Sequence, residues 1–280
     1  MNARKWGESH MFVRSYLLVG LCVFGLGSTA LAARDLDDQE QEEAVLFLVG
    51  NTEFFLYHEF GHALISELDI PVLGREEDTV DNLAAVVMIP DEPDPISEDK
   101  MMAAIDNWFL TDAMATSDDE SLPFWDEHGL DQQRGYQLAC LYYGSDPEAL
   151  TDLADSLDLP PERRESCQDD YAQALQSWSK VLEPHILADG QRFSHSIKVI
   201  YEPPPDELKD AADLLKITGS LESIAKDVAT SFKLPHNLTL VARACGEPNA
   251  YWDPEKREVV MCYELTEFFV DLITQDILSR

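Results

Sequence analysis

The sequence predicts an α+β protein, mostly helical, with a small β-sheet late in the chain. Two observations carry this. Apolar residues recur at helical spacing through roughly the first two thirds, and alternating, β-branched runs are confined to the last third. A length of 280 residues, 45% of them hydrophobic and 26% charged, is enough to bury a core and unlike a disordered chain.

Taken in order, the mature chain opens with "DQEQEEAVLFLVG", a helix expected to stop near Gly50. Asn51 or Thr52 is then expected to cap a second helix reaching about Leu68. After the loop "DIPVLG", the segment "REEDTVDNLAAVVMI" reads as a helix with Val80, Leu83, Ala84 and Val87 on its apolar face. The proline-broken, acidic "PDEPDPIS" is a loop, and "EDKMMAAIDNWFLTDAM" is amphipathic. A helix is expected from about Asp131 to Tyr143, a short one opened by Asp146-Pro147, and a longer one from about Glu162 to Val181. "SHSIKVIYE", "NLTLVARA" and "REVVMCYE" read as strands, with "EPNAYWDPEK" as the turn between the last two. "GSLESIAKDVATSF" and a segment starting near Thr266 are helices, and "EPPPDE" is a hinge candidate.

The first residues have a different character. Arg4, Lys5 and Arg14 precede the apolar "YLLVGLCVFGLGSTALA", which ends in Ala30-Leu31-Ala32. This reads as a secretory signal peptide over residues 1–32, against the alternative of a membrane anchor, leaving an expected domain over 33–280. The apolar run is short for a membrane span, acidic residues follow at once, and no later segment is apolar enough to span. Leu21 before Cys22 is too large for a lipoprotein cleavage site. The expected location is secreted or periplasmic, with no membrane contact after cleavage. Four cysteines then remain, and an even number in an exported chain suggests two disulfides. Three connectivities are possible, and Cys140–Cys167 with Cys245–Cys262 is preferred because each pair lies within one local unit. The formal charge of −34 argues against nucleic acid, anionic membranes and strongly anionic substrates.

The chemistry concentrates in "FFLYHEFGHALI". Residues four apart on a helix lie about 40° apart around the axis and one turn along it, so His58 and His62 can converge on one ion, the alternative being an ordinary core helix that contains histidine. Glu59, following the first histidine, is placed as general base toward water held by that ion. Gly61 weakens the helix by about 1 kcal/mol relative to alanine, which makes sense if another element packs close. A catalytic zinc needs a third protein ligand and an open position. Glu77 is the expected ligand, with Glu76 and Asp78 as rivals whose alternative role is to stabilise the helix start. Asp81, one turn beyond Glu77, is a candidate to accept a ligand histidine's free N–H. In "FWDEHGLDQQR", His128 and Arg134 are candidates to meet a developing oxyanion. The blander reading has Asp131 capping the next helix and Arg134 paired with a carboxylate. Tyr142 and Tyr143 are expected to pack, and His185, His195 and His236 to be surface or structural.

The stretch "HEFGHALISELDIPVLGREEDTVDNLA" closely resembles a family of zinc metallopeptidases found mainly as secreted bacterial proteins. The likeness extends to "FWDEHGLDQQRGYQLACLYYGSDP", "LPPERRESC" and "NAYWDPEKREVVMCYEL", and so covers nearly all the mature chain. It implies a zincin-like fold, bound Zn2+, and hydrolysis of peptide or protein substrates. Glu77-Asp-Thr-Val-Asp81 is similar in order to the thermolysin-like group, where the glutamate is third ligand and the aspartate lies behind a ligand histidine. The alternative within the same resemblance is a non-catalytic zinc-binding or peptide-binding exported protein. One departure is that the strands follow the HExxH helix. A sheet packing back from the C-terminal third would offer "REVVMCYE" or "NLTLVARA" as an edge for an extended peptide.

Overall fold

A computed structural model of the chain describes residues 35–92, 94–117, 124–188, 191 and 194–280. The signal peptide expected over residues 1–32 lies outside these. Helix α1 (Asp38–Leu68) is the axis of the molecule. Asp37 caps it, accepting from the N–H groups of Gln39 and Glu40 at 3.0 Å, while the Glu40 carboxylate accepts from the Asp37 N–H at 2.8 Å. Asp69, at φ 54°, ends it in the left-handed conformation.

The expected break at Gly50 does not occur; α1 is one helix of 31 residues. Glycine serves here as a contact point. A Cβ on Gly50 would stand 2.6 Å from the Lys100 carbonyl oxygen, so its absence lets α3 (Pro95–Ser117) lie directly against α1. Asn51 is not a cap either. Its buried amide donates to the carbonyls of Phe47 and Ala103, tying the two helices together. Gly61 plays the same part for α2 (Glu76–Met88): a Cβ there would meet Val80 Cγ1 at 2.7 Å. The glycine that lowers local helix propensity thereby sets the distance between α1 and α2.

Helices α4 (Asp131–Ser145), α5 (Thr151–Ser156) and α6 (Pro161–Leu182) follow. Asp131 is the first residue of α4 rather than its cap, which is Leu130. Asp146 accepts from the Ala149 N–H in a turn, and the short helix expected at Pro147 starts at Thr151. The Cys140–Cys167 disulfide joins α4 to α6 with Cα atoms 5.1 Å apart. Gly144 makes that approach possible, since a Cβ would fall 2.1 Å from the Cys167 carbonyl oxygen.

The late sheet holds β1 (Ile197–Tyr201), β2 (Leu238–Arg243), β3 (Ala250–Asp253) and β4 (Glu258–Cys262) in the order β1-β2-β4-β3. β1, β2 and β4 are parallel, and β3 runs antiparallel to β4 with Ala250 opposite Met261. The crossover from β1 to β2 carries α7 (Lys209–Thr218) and α8 (Ser220–Ser231), turning at Gly219 with φ 67°. α9 (Tyr263–Ser279) leaves directly from β4. The segment read as a turn thus contains a strand, β3. The two strands expected at the edge, β2 and β4, are interior and nearly fully buried. The edge strand that packs on α1 is β3. The Cys245–Cys262 disulfide links the β2–β3 connection to the end of β4, with Cα atoms 5.5 Å apart. Among the described residues no helix is long and apolar enough to cross a membrane.

Candidate metal centre

Because α1 and α2 cross at Gly61 and Val80, one face of each carries its polar residues into the same space. His58 Nε2 lies 3.1 Å from Glu77 Oε2, His62 Nε2 lies 3.3 Å from it, and the two ring nitrogens are 3.3 Å apart. Behind this triangle each ring has its own carboxylate. His58 Nδ1 is 2.7 Å from Asp81 Oδ1, and His62 Nδ1 is 2.8 Å from Glu76 Oε1. Those carboxylates take the Nδ1–H of each ring, so both Nε2 lone pairs point inward. In that tautomer three acceptor atoms meet, a group that could hold a cation, and that protons on the rings hold together without one.

The donor set also fits one by size. Donors about 2.0–2.1 Å from a tetrahedral centre stand about 3.3 Å from one another, which is the spacing of this triangle. Two imidazole nitrogens and one carboxylate oxygen suit a first-row divalent ion, zinc among them. In the metal-free protein, protons take the place of the ion. Burial alone would lower the His62 pKa, but its contacts with Glu77 and Glu76 prevail and raise it to about 9. His58 behaves alike, with burial outweighed by Asp81 and Glu77. Burial would raise the Glu77 carboxyl, yet the hydrogen bonds from His128, His58 and His62 hold it far below the usual range.

Glu59 stands beside this group, with one oxygen 3.9 Å from His58 Nε2. It is only 6% exposed, and burial pushes its pKa up although both histidines pull the other way. His128 stands on the far side of Glu77, with Nε2 3.0 Å from Glu77 Oε2 and Nδ1 3.0 Å from Asp126. The Glu77 contact is the main cause that raises its pKa. Its side chain is 41% exposed, against 4% for His58, so His128 marks the open side of the group.

Arg134 does not reach an oxyanion position. Its Nε and Nη2 donate to the two oxygens of Asp81 at 2.8 and 2.7 Å. Its guanidinium lies 3.7 Å over the Trp108 ring, which packs on Phe54 and Phe55 of α1. Burial would raise the Asp81 carboxyl, but Arg134 and His58 hold it well below the ordinary value. Trp178 Nε1 donates to the Thr79 carbonyl and fixes α2 from the side of α6.

The structure thus brings His58, Glu59, His62, Glu77, Asp81 and His128 together. Glu76, weighed as a rival ligand, turns to His62 Nδ1 instead, and Asp78 is exposed. The roles of Glu76, Trp108 and Asp126 were not foreseen; only the acidic triplet at 76–78 hinted at the first. Tyr142 is buried in the core, His195 pairs with the Leu234 carbonyl, and His236 pairs with Glu67.

The chain belongs to the family DUF4344, described as "Putative metallopeptidase", whose model matches residues 17–182 and 201–278. No curated protein and no solved structure matches the chain.

Proposed function

We propose that this protein is a zinc-dependent peptidase acting in a secreted or periplasmic setting. The observation that carries the reading is the meeting of three acceptor atoms, His58 Nε2, His62 Nε2 and Glu77 Oε2, within 3.1 to 3.3 Å of one another. These three would hold the ion, with Asp81 and Glu76 fixing the ring tautomers from behind. When bound, zinc supplies Lewis acidity and lowers the pKa of a coordinated water toward about 7.

Glu59 accepts a proton from the attacking water at its carboxylate and returns it to the leaving amine. Its burial raises the pKa, which makes the carboxylate a stronger base toward that water. His128, on the open side and with its pKa raised by Glu77, is placed to meet the negative charge that develops on the substrate carbonyl. The β3 edge supports binding of an extended peptide by main-chain pairing. The two disulfides support an oxidising compartment.

Metal analysis of the purified protein, together with cleavage of a fluorogenic peptide pool by the native chain and by Glu59→Gln, tests this. The expected result is one zinc per chain in both forms and loss of at least about a hundredfold in cleavage rate for the variant. Absence of zinc ends the reading. Zinc without any cleavage by the native chain leaves a metal-clamped binding protein instead.

A further inference from the structure

Resting on the peptidase reading, we infer that two loops beside the metal centre form a lip selecting peptides that join a bulky apolar residue to a basic one. Among the described residues the three most exposed large apolar side chains are Leu73, Trp125 and Phe124, at 102%, 80% and 75%. They lie in those two loops. Leu73 is two residues before Arg75, the cap of α2, and Phe124-Trp125 directly precede Asp126 and His128. The loops meet where Arg75 Nη1 donates to the His128 carbonyl at 3.5 Å, and His128 in turn touches Glu77.

Large apolar groups left in water beside a reactive centre mark a surface awaiting a partner. The charge around them narrows the partner. Glu76 and Asp78 are exposed on the first turn of α2 and Asp126 and Glu127 on the second loop, against Arg75, exposed at the end of the first loop. The nearby His128 and Arg134 are already turned to carboxylates. With a formal charge of −34, a second copy of the chain or an anionic membrane is repelled from this face. A peptide carrying lysine or arginine is attracted, and its aromatic or aliphatic neighbour covers the exposed rings.

The test reads binding apart from catalysis, in the zinc-loaded full chain carrying Glu59→Gln. Four fluorescent peptides on one scaffold carry Phe-Lys, Phe-Glu, Gly-Lys or Gly-Glu, and Kd is taken from anisotropy. The Phe-Lys peptide is expected to bind about tenfold tighter than the Phe-Glu or Gly-Lys peptide, the weight of one large buried side chain or a few unscreened charges. Leu73→Ser, and Phe124→Ser with Trp125→Ser, are expected to weaken it about tenfold with zinc content and melting temperature unchanged. Equal binding of the four peptides, or native affinity in the lip variants, overturns the inference. So does a lip variant that alters the sedimentation of the protein but not its peptide affinity, which would make the lip a self-association surface. Loss of zinc from the native chain would instead sink the peptidase reading, so the two failures are told apart.

Discussion

Replacing Arg134 with methionine tests whether the metal centre depends on a residue of α4 that touches no donor atom of the triangle. Methionine keeps much of the volume over Trp108 and removes the fork that grips Asp81 at 2.8 and 2.7 Å. Both partners are well shielded, with side chains 11% and 13% exposed. Removing one member of a buried pair costs about 3–5 kcal/mol, and the lost stacking on Trp108 adds about 1 kcal/mol. Asp81 is also the group that holds His58 Nδ1, so its loosening reaches the Nε2 proposed to bind the ion. Changes of this kind behind a ligand weaken metal affinity about 10- to 100-fold, or about 1.4–2.7 kcal/mol. Chelator competition gives the zinc Kd, and urea unfolding gives the stability. The decisive comparison is a double-mutant cycle with Asp81→Asn. If Arg134 acts through Asp81, its replacement has little further effect on zinc affinity once Asp81 is neutral. Additive losses, or a native Kd in Arg134→Met, would refute the reasoning.

Four other outcomes are expected. Zinc binding requires neutral rings, so its apparent affinity rises with pH toward about 9, where His62 deprotonates, and proton release appears in calorimetry across buffers; a flat profile from pH 6.5 to 9 would contradict this. In the metal-free protein the sign is opposite. A histidine with a raised pKa stabilises fully below its ordinary value of 6.5 and loses that contribution as pH rises through about 9, so the metal-free melting temperature falls over that window. Gly61→Ala puts a methyl group 2.7 Å from Val80 Cγ1 and is expected to destabilise by about 1–3 kcal/mol and weaken zinc binding, measured by thermal melts with and without zinc. Removing the Cys140–Cys167 disulfide, which spans 27 residues, is expected to lower stability by about 3.5 kcal/mol in urea unfolding under oxidising conditions.

The parts of the site set by one helix were legible in the sequence. His58, Glu59 and His62 follow from helical geometry alone, and Asp81 from its place one turn beyond Glu77. The place of Glu76 behind His62 was not, because neighbours on a helix differ by about 100° and the crossing of α1 and α2 decides what each one faces. That crossing is set by the Gly61–Val80 contact, which no spacing in the chain records. Gly50 misled for the same reason: its role is closeness to α3, not termination. The partner of Asp81 lies 53 residues away, beyond any local pattern. β3 was hidden by its brevity, four residues between turn-forming segments, and with it the true edge of the sheet. The two disulfides were legible because each pair closes a short local unit.

All three inward-facing donors and both carboxylates behind them fall between His58 and Asp81, within one helical hairpin. Closing so short a stretch of chain carries little entropic penalty. If the site holds an ion as proposed, its capture needs only this hairpin, and the bound ion would pin two helices at their crossing. Metal uptake would then nucleate assembly of this chain as well as equip it for chemistry, and a metal-starved compartment would slow its maturation, not just silence the finished product.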